Sequence, residues 1–249
     1  MDDKEHSPVG DPAPGRRLYP HAIAVEDVLK SLATAPDGGL LNGQVSERQH
    51  RLGFNQLIEP APTPLWRKFL GQFTDLVIWI LIVAAIISGF LADWADAAAI
   101  VAIVLLNGVI GFVQEQRAER ALAGLRKLAA PLAKVVRNGV RQSLPTRELV
   151  PGDLLELEAG DKVPADARLI RAYSFRVQEA ALTGESAPVQ KDAQSILKRT
   201  TPLGDRRNMA YMGTLVADGK ASAVVTDTGM ATELGRIAAM LQQQVPEPI

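Results

Sequence analysis

Gly160-Asp161-Lys162-Val163-Pro164-Ala165-Asp166, followed by Leu182-Thr183-Gly184-Glu185-Ser186, is the stretch on which the reading of this chain turns. In its second part a carboxylate follows a glycine. Gly184 lets the backbone turn and approach closely with no Cβ in the way, and Thr183 and Ser186 add hydroxyls that can hold the turn or meet a phosphate. Glu185 is then a base on a hinge, suited to being pushed into a site on another domain. So short a run recurs by chance, and the weight comes from the ordered series Pro151-Gly152-Asp153, then 160–166, then the glycine-glutamate turn. The two earlier motifs read as scaffold: Asp161 and Asp166 can cap turns and Pro164 fixes a strand entry, with no ligand required.

Around this stretch, from Leu132 onward, short β segments alternate with turn signals: Asn138-Gly139, Pro151-Gly152-Asp153, Ala159-Gly160-Asp161 and Asp218-Gly219. Asn-Gly and Asp-Gly are pairs that hairpins prefer because both positions accept positive φ, so hairpins are expected at 138–139 and 218–219. Ala231 to Gln243 returns to helical spacing, and Val245-Pro246-Glu247-Pro248 ends it. Toward the N-terminus, Val25 to Ala33 reads as a short amphipathic helix. Ser46-Glu47-Arg48-Gln49 reads as a capping box opening a second helix that Gly53 closes.

Between these parts lie two uncharged apolar runs, Leu76 to Ala92 and Ala97 to Val113, apolar on every face and long enough to approach a hydrocarbon core. Asp93-Trp94-Ala95-Asp96 links them without a basic residue, whereas Arg67, Lys68, Arg117 and Arg120 flank the outer ends, which places both termini in the cytosol. Helical spacing continues through Leu122, Leu125 and Leu128 to Pro131. A helix from Ala97 to Ala130 measures about 50 Å against a core of about 30 Å, so its upper part stands in the cytosol as a lever or a stalk.

Composition excludes several classes. Across 249 residues, 27 basic and 28 acidic side chains leave no surplus to neutralise a nucleic acid backbone. With no cysteine there is no disulfide, thiolate metal site or cysteine nucleophile, and His6, His21 and His50 are scattered without ligand spacing, as surface or helix residues would be. No metal or cofactor site is expected. Gly213 to Lys220 departs from a P-loop in glycine spacing and in Ala221, and reads as a hairpin. The basic segment from Lys198-Arg199 to Arg206-Arg207 reads as a solvated loop. Met1 to Arg17 has charge, Pro and Gly without an apolar run, as in a disordered tail.

The ordered motifs, with two apolar helices upstream, resemble the N-terminal part of a P-type cation-transporting ATPase of type II, calcium-pump-like, from about Ala22 almost to the C-terminus. Gly39-Leu40 and Arg51-Leu52-Gly53-Phe54-Asn55 are similar to the region before the first hairpin of such pumps. The resemblance implies an α+β membrane protein: a two-helix transmembrane hairpin, a cytosolic mostly-β actuator domain of distorted jelly-roll form, and short N-terminal helices that share its core. The expected divisions are a tail over 1–20, an N-terminal helical part over 21–58, membrane helices over 69–93 and 96–130, the β domain over 131–230, and a helix with the start of a linker over 231–249. It assigns Glu185, with Thr183, Gly184 and Ser186, to positioning the water that hydrolyses an aspartyl phosphate on a separate domain. Gln178 departs from the family's pattern, where an acidic residue often precedes Glu179. The phosphorylation sequence Asp-Lys-Thr-Gly-Thr is absent, since Val163 follows Asp161-Lys162 and Asp227-Thr228-Gly229 lacks the Lys, so the chain is not expected to hydrolyse ATP alone. ATP and Mg2+ belong to domains outside it. The implied partners are a lipid bilayer, that of the plasma (inner) membrane, and the remaining domains of a pump acting in trans. The competing expectation is a membrane-anchored regulatory module or an inert remnant.

Overall fold

The computed structural model describes residues 19–58, 64–128 and 131–244. They divide into two compact units, one of residues 19–58 with 131–244 and one of residues 64–128.

The first unit carries seven strands in one sheet: β1 (Leu132–Arg137), β2 (Val140–Pro145), β3 (Leu154–Glu158), β4 (Asp166–Gln178), β5 (Val189–Gln190), β6 (Met209–Ala210) and β7 (Leu215–Asp227). The order is β2-β1-β3-β7-β4-β5, with β6 also on β4, and every pairing is antiparallel. The Asn138-Gly139 turn joins β1 to β2 as expected, with φ of 51° and 73° at the two positions. Asp218-Gly219 does not form the expected hairpin. β7 runs straight through it and pairs with β4 from Gln178↔Leu215 to Asp166↔Asp227, with an irregularity where Tyr173↔Lys220 gives way to Arg176↔Asp218. Gly219 has φ 77° there and Ser174 opposite has φ 46°. A Cβ on Gly219 would run into the carbonyls of Tyr173 and Ser174, so the glycine serves a bulge rather than a chain reversal.

One face of the sheet closes over Val135, Leu155, Leu157, Leu169, Phe175, Val177, Val216 and Ala223, all buried. Against Leu154 and Val224 pack Val28 and Leu29 of α1 (Val25–Ser31), the amphipathic helix expected near the N-terminus. Burying two such side chains contributes roughly 1.5–3 kcal/mol each. α2 (Asn42–Leu52) starts earlier than its expected box: the Leu41 amide donates to Gln44 Oε1 at 2.9 Å, and Ser46 lies inside the helix. Gly53, at φ 78°, closes it as expected. Asn55 is buried and knits three segments, its Nδ2 donating to the carbonyls of Thr146 and Pro164 while its Oδ1 accepts from the Gly229 amide.

The 1–20 tail is shorter than expected at its inner end, since Pro20–Ala22 forms a 3-10 turn in which Pro20 and His21 are buried; residues 1–18 lie outside the described residues. Arg168, 1% exposed, holds this turn through Nε to the Pro20 carbonyl, with further bonds to the carbonyls of Leu169, Ala193, Ser195 and Asn208. His21 is therefore not a surface histidine, and burial lowers its pKa. The basic segment keeps Lys198, Arg199 and Arg207 exposed as expected, while Arg206 is half-buried and its Nε donates to the Thr201 carbonyl at 3.0 Å.

The second unit is helical: α3 (Leu65–Gly71), α4 (Leu76–Phe90) and α5 (Trp94–Leu128). The expected single helix over 69–93 is instead broken between Gly71 and Leu76, with α3 and α4 at 75° to one another. The cause is local: Thr74 Oγ1 bonds back to the Gly71 carbonyl, and the Asp75 carboxylate caps α4 by accepting from the Val77 amide. Residues Leu91 to Asp93 form the link, because Trp94 to Asp96 already belong to α5. α4 packs on α5, and Gly108 and Gly111 leave room for Phe73 and Gln72 at the break. Lys68 pairs with Glu119 at 2.6 Å and Gln72 with Glu115 at 2.7 Å. Within α5, Trp94–Leu122 is long and apolar enough to cross a membrane, while α3 and α4 reach that length only as a bent pair. The expected continuation past Val113 holds to Leu128; 129–130 lie outside the described residues.

Candidate functional site

The glycine-glutamate loop leaves the sheet at the end of β4 and returns to it at β5. At its base, Arg176↔Gln190 and Val177↔Val189 pair the two strands. α6 (Ala180–Thr183) then forms one short turn, ended by Gly184 in the left-handed conformation with φ 78° and ψ −5°. Its amide donates to the Ala180 carbonyl at 3.0 Å, so it is a helix cap, and a Cβ there would meet nothing within 4 Å. Glycine is used here for its backbone freedom and not for space.

The hydroxyl of Thr183 holds the turn, donating to the Glu179 carbonyl at 3.2 Å and accepting the Glu185 amide at 3.3 Å. Gln178 Nε2 reaches the Ser186 carbonyl at 3.3 Å, so the residue that departs from the family pattern bonds across the loop. Gly184, Glu185 and Ser186 are all exposed. Among the described residues the Glu185 carboxylate and the Ser186 hydroxyl have no hydrogen-bond or ion-pair partner. Thr183, Gly184, Glu185 and Ser186 thus lie together on one rim, with Thr183 turned inward as a brace and Glu185 outward.

Two residues at the loop base escaped the sequence reading. Phe175, Val177 and Glu179 alternate inward, and all are buried. Glu179 at 1% and Lys191 at 0% side-chain exposure form an ion pair at 2.6 Å. Burial pushes the Glu179 carboxyl up and the Lys191 ammonium down, and each partner's charge opposes the other's shift. The available signal was a glutamate in phase with two apolar residues of a strand.

The two earlier motifs are scaffold, as expected. Asp153 is fully buried and holds Arg137 in a bidentate pair, both bonds at 2.7 Å, while also accepting the Val150 amide at 2.8 Å. Asp161 accepts the Glu158 amide at 3.0 Å. Asp166 accepts the amides of Met212 at 2.8 Å and Glu233 at 2.7 Å, tying β4 to the first residue of α7 (Glu233–Gln244). Burial pushes its pKa up to about 7 against the pull of those two donors. Among the described residues no three His, Asp or Glu side chains converge as metal ligands.

A seven-stranded antiparallel sheet that projects an exposed glutamate on a glycine hinge accords with the actuator domain of a P-type ATPase, and that family model matches residues 127–242. A second model, the N-terminus of cation transporters and ATPases, matches residues 20–88. The chain belongs to the P-type cation-transporting ATPases, of which it carries the N-terminal and actuator regions. It is 42% identical over 222 residues to a calcium-transporting ATPase of Bacillus subtilis, covering 89% of this chain and 25% of that protein. It is 46% identical over 217 residues to the "Probable cation-transporting ATPase F" of Mycobacterium bovis, covering 87% and 24%. With "Calcium-transporting ATPase 1" of Lactococcus lactis it shares 40% over 225 residues, 90% and 25%. The chain thus spans about a quarter of the length of these relatives.

Proposed function

We propose that this chain supplies the actuator of an ATP-driven cation pump, with calcium as the cation, and that Glu185 drives hydrolysis of an aspartyl phosphate carried by another domain. The observation that carries this reading is an exposed carboxylate, without a partner among the described residues, at the tip of a loop whose base is firmly bonded. In the step, a water oxygen attacks phosphorus in line with the acyl oxygen, the P–O bond to the aspartate breaks, and Glu185 accepts the proton that the water loses. Gly184 allows close approach, and the Ser186 hydroxyl is free to contact the phosphate. In this reading ATP and Mg2+ are held by other domains of the pump.

In the same reading the sheet is the distorted jelly roll of such actuators. α4 and α5 form a two-helix hairpin in the plasma (inner) membrane with both termini cytosolic, and the exposed apolar side chains of Leu76, Trp79, Ile80, Phe90, Ile103 and Leu106 face lipid or neighbouring helices. The test is co-expression with a pump lacking its own actuator segment, following the decay of the acid-stable, hydroxylamine-sensitive phosphoenzyme. Decay that this chain accelerates and that Glu185→Gln abolishes is the expected result. A folded, membrane-bound chain without effect would overturn it in favour of a regulatory anchor or an inert remnant.

A further inference from the structure

Glu179 and Lys191 take no part in the chemistry proposed for Glu185, yet they are an ion pair withdrawn almost wholly from water. Among the described residues neither carboxylate oxygen of Glu179 has a partner other than Lys191. A buried pair is weak evidence for stability, because apolar side chains of similar volume often serve as well. What it does impose is geometry: a charge with one partner has one place to go.

That place is the base of the loop. Lys191 follows β5, and its backbone amide is fixed to the Phe175 carbonyl at 2.9 Å. Its side chain runs inward beside the Tyr211 ring, with Nζ 5.8 Å from the ring centroid. Glu179 is the residue from which α6 starts. Its carbonyl accepts from the Leu182 amide at 2.9 Å, the Thr183 amide at 3.0 Å and the Thr183 hydroxyl, which in turn holds the Glu185 amide. An unbroken path of short contacts therefore runs from the Lys191 ammonium through Glu179 and Thr183 to the backbone of Glu185.

We propose that the Glu179–Lys191 pair is a positioning element: it staples the outgoing and returning ends of the loop so that the Glu185 carboxylate is held ready while remaining exposed. This rests on the reading of Glu185 as the hydrolytic base. Neither residue meets the phosphate, and both act through the turn.

The absence of cysteine makes a direct test possible, since a single introduced thiol can carry a nitroxide. One label goes on Ala187→Cys in the loop and, in a separate protein, one on Gln142→Cys in β2; both sites are exposed. Glu179→Gln keeps the side-chain volume and lets the buried Lys191 shed its proton, so the fold is retained; Lys191→Met is the second variant. In the membrane-bound chain, either variant is expected to sharpen the spectrum at 187 and leave that at 142 unchanged. Phosphoenzyme decay in the complemented pump is expected to slow by about a hundredfold, the scale on which an ångström-sized misplacement of a reacting group acts. An unchanged spectrum at 187 in both variants would overturn the proposal. So would loosening of both labels in both variants, which would make the pair a general fold element, and so would a mobile loop with undiminished decay. If the unsubstituted chain fails to accelerate decay, the reading of Glu185 fails, while the spectra still decide whether the pair holds the loop.

Discussion

Asp153→Asn is the substitution whose cost the structure fixes most tightly. Asp153 is fully buried, Arg137 is 7% exposed, and the carboxylate accepts three bonds, two from the guanidinium and one from the Val150 amide. The amide preserves volume but removes the charge and turns an NH2 toward a group that is itself a donor. Arg137 is left buried and charged with two neutral acceptors, the one remaining side-chain oxygen at 153 and the Glu148 carbonyl at 3.0 Å. Breaking a buried pair from one side costs about 3–5 kcal/mol, roughly a fifth or more of the stability of a typical domain. The internal control is Glu156→Gln. Its partner Arg141 lies at 2.9 Å, but with side chains 80% and 34% exposed that pair is worth about 1 kcal/mol or less. Urea unfolding of the detergent-solubilised chain, followed by the strand signal in circular dichroism, reads the β unit, because the other unit is helical among the described residues. With a slope of about 2 kcal/mol per molar, the Asp153→Asn midpoint should fall by about 2 M at unchanged slope. A fall no larger than that of Glu156→Gln would refute the reasoning. So would a double Arg137→Met, Asp153→Leu variant less stable than the single one.

Gly219→Ala should cost more than Gly184→Ala although both have positive φ: each bears about 1–2 kcal/mol of left-handed strain, but only at 219 does the new Cβ meet backbone carbonyls. Equal midpoints in the same assay would sink the bulge argument. Asp166 sets a pH dependence. Its folded pKa of about 7 lies above the ordinary 3.8, so the native state binds the extra proton between these values, and stability falls as pH rises through that window by up to about 1.4 kcal/mol per unit. The lowered pKa of His21 works in the opposite direction below its ordinary 6.5, so the comparison is with Asp166→Asn, which should lose the Asp166 slope; the same slope in both proteins would exclude this origin. Thr183→Val removes the hydroxyl that joins the Glu179 carbonyl to the Glu185 amide, at a cost of about 1 kcal/mol, and should speed amide exchange at Glu185 without altering that of β1.

What the sequence made legible was whatever depends on neighbours along the chain. The Asn138-Gly139 hairpin, the closure of α2 by Gly53 and the hinge at Gly184 follow from local backbone preference, and each stands where the residues placed it. Asp218-Gly219 carries the same signal and yet sits within β7, because thirteen residues of β4 offered a partner strand and the positive φ was absorbed as a bulge. Ser46 lost its place as a helix start to Leu41, whose amide is capped by Gln44 instead. The break before α4 depended on Thr74 and Asp75 bonding locally inside what reads as a hydrophobic approach to the membrane. For the site, the exposed residues were legible as a motif. Glu179 and Lys191 were not, since twelve residues separate them and only the tertiary fold shows that both charges turn inward.

The sharing of one core by residues before 58 and after 131 also sets a timetable for biosynthesis. The Asn208 side chain closes on the His21 carbonyl 187 residues behind it, and at about 5–20 residues per second the ribosome takes about 10 to 40 s to cover that distance. Throughout that interval the apolar stripe of Val28 and Leu29 lacks β7, and for most of it β3 as well, while the hydrophobic helices between are emerging from the exit tunnel. The nascent chain thus has a window in which a chaperone, a protease or another ribosome's product can reach the first 58 residues before their own partner strands are made.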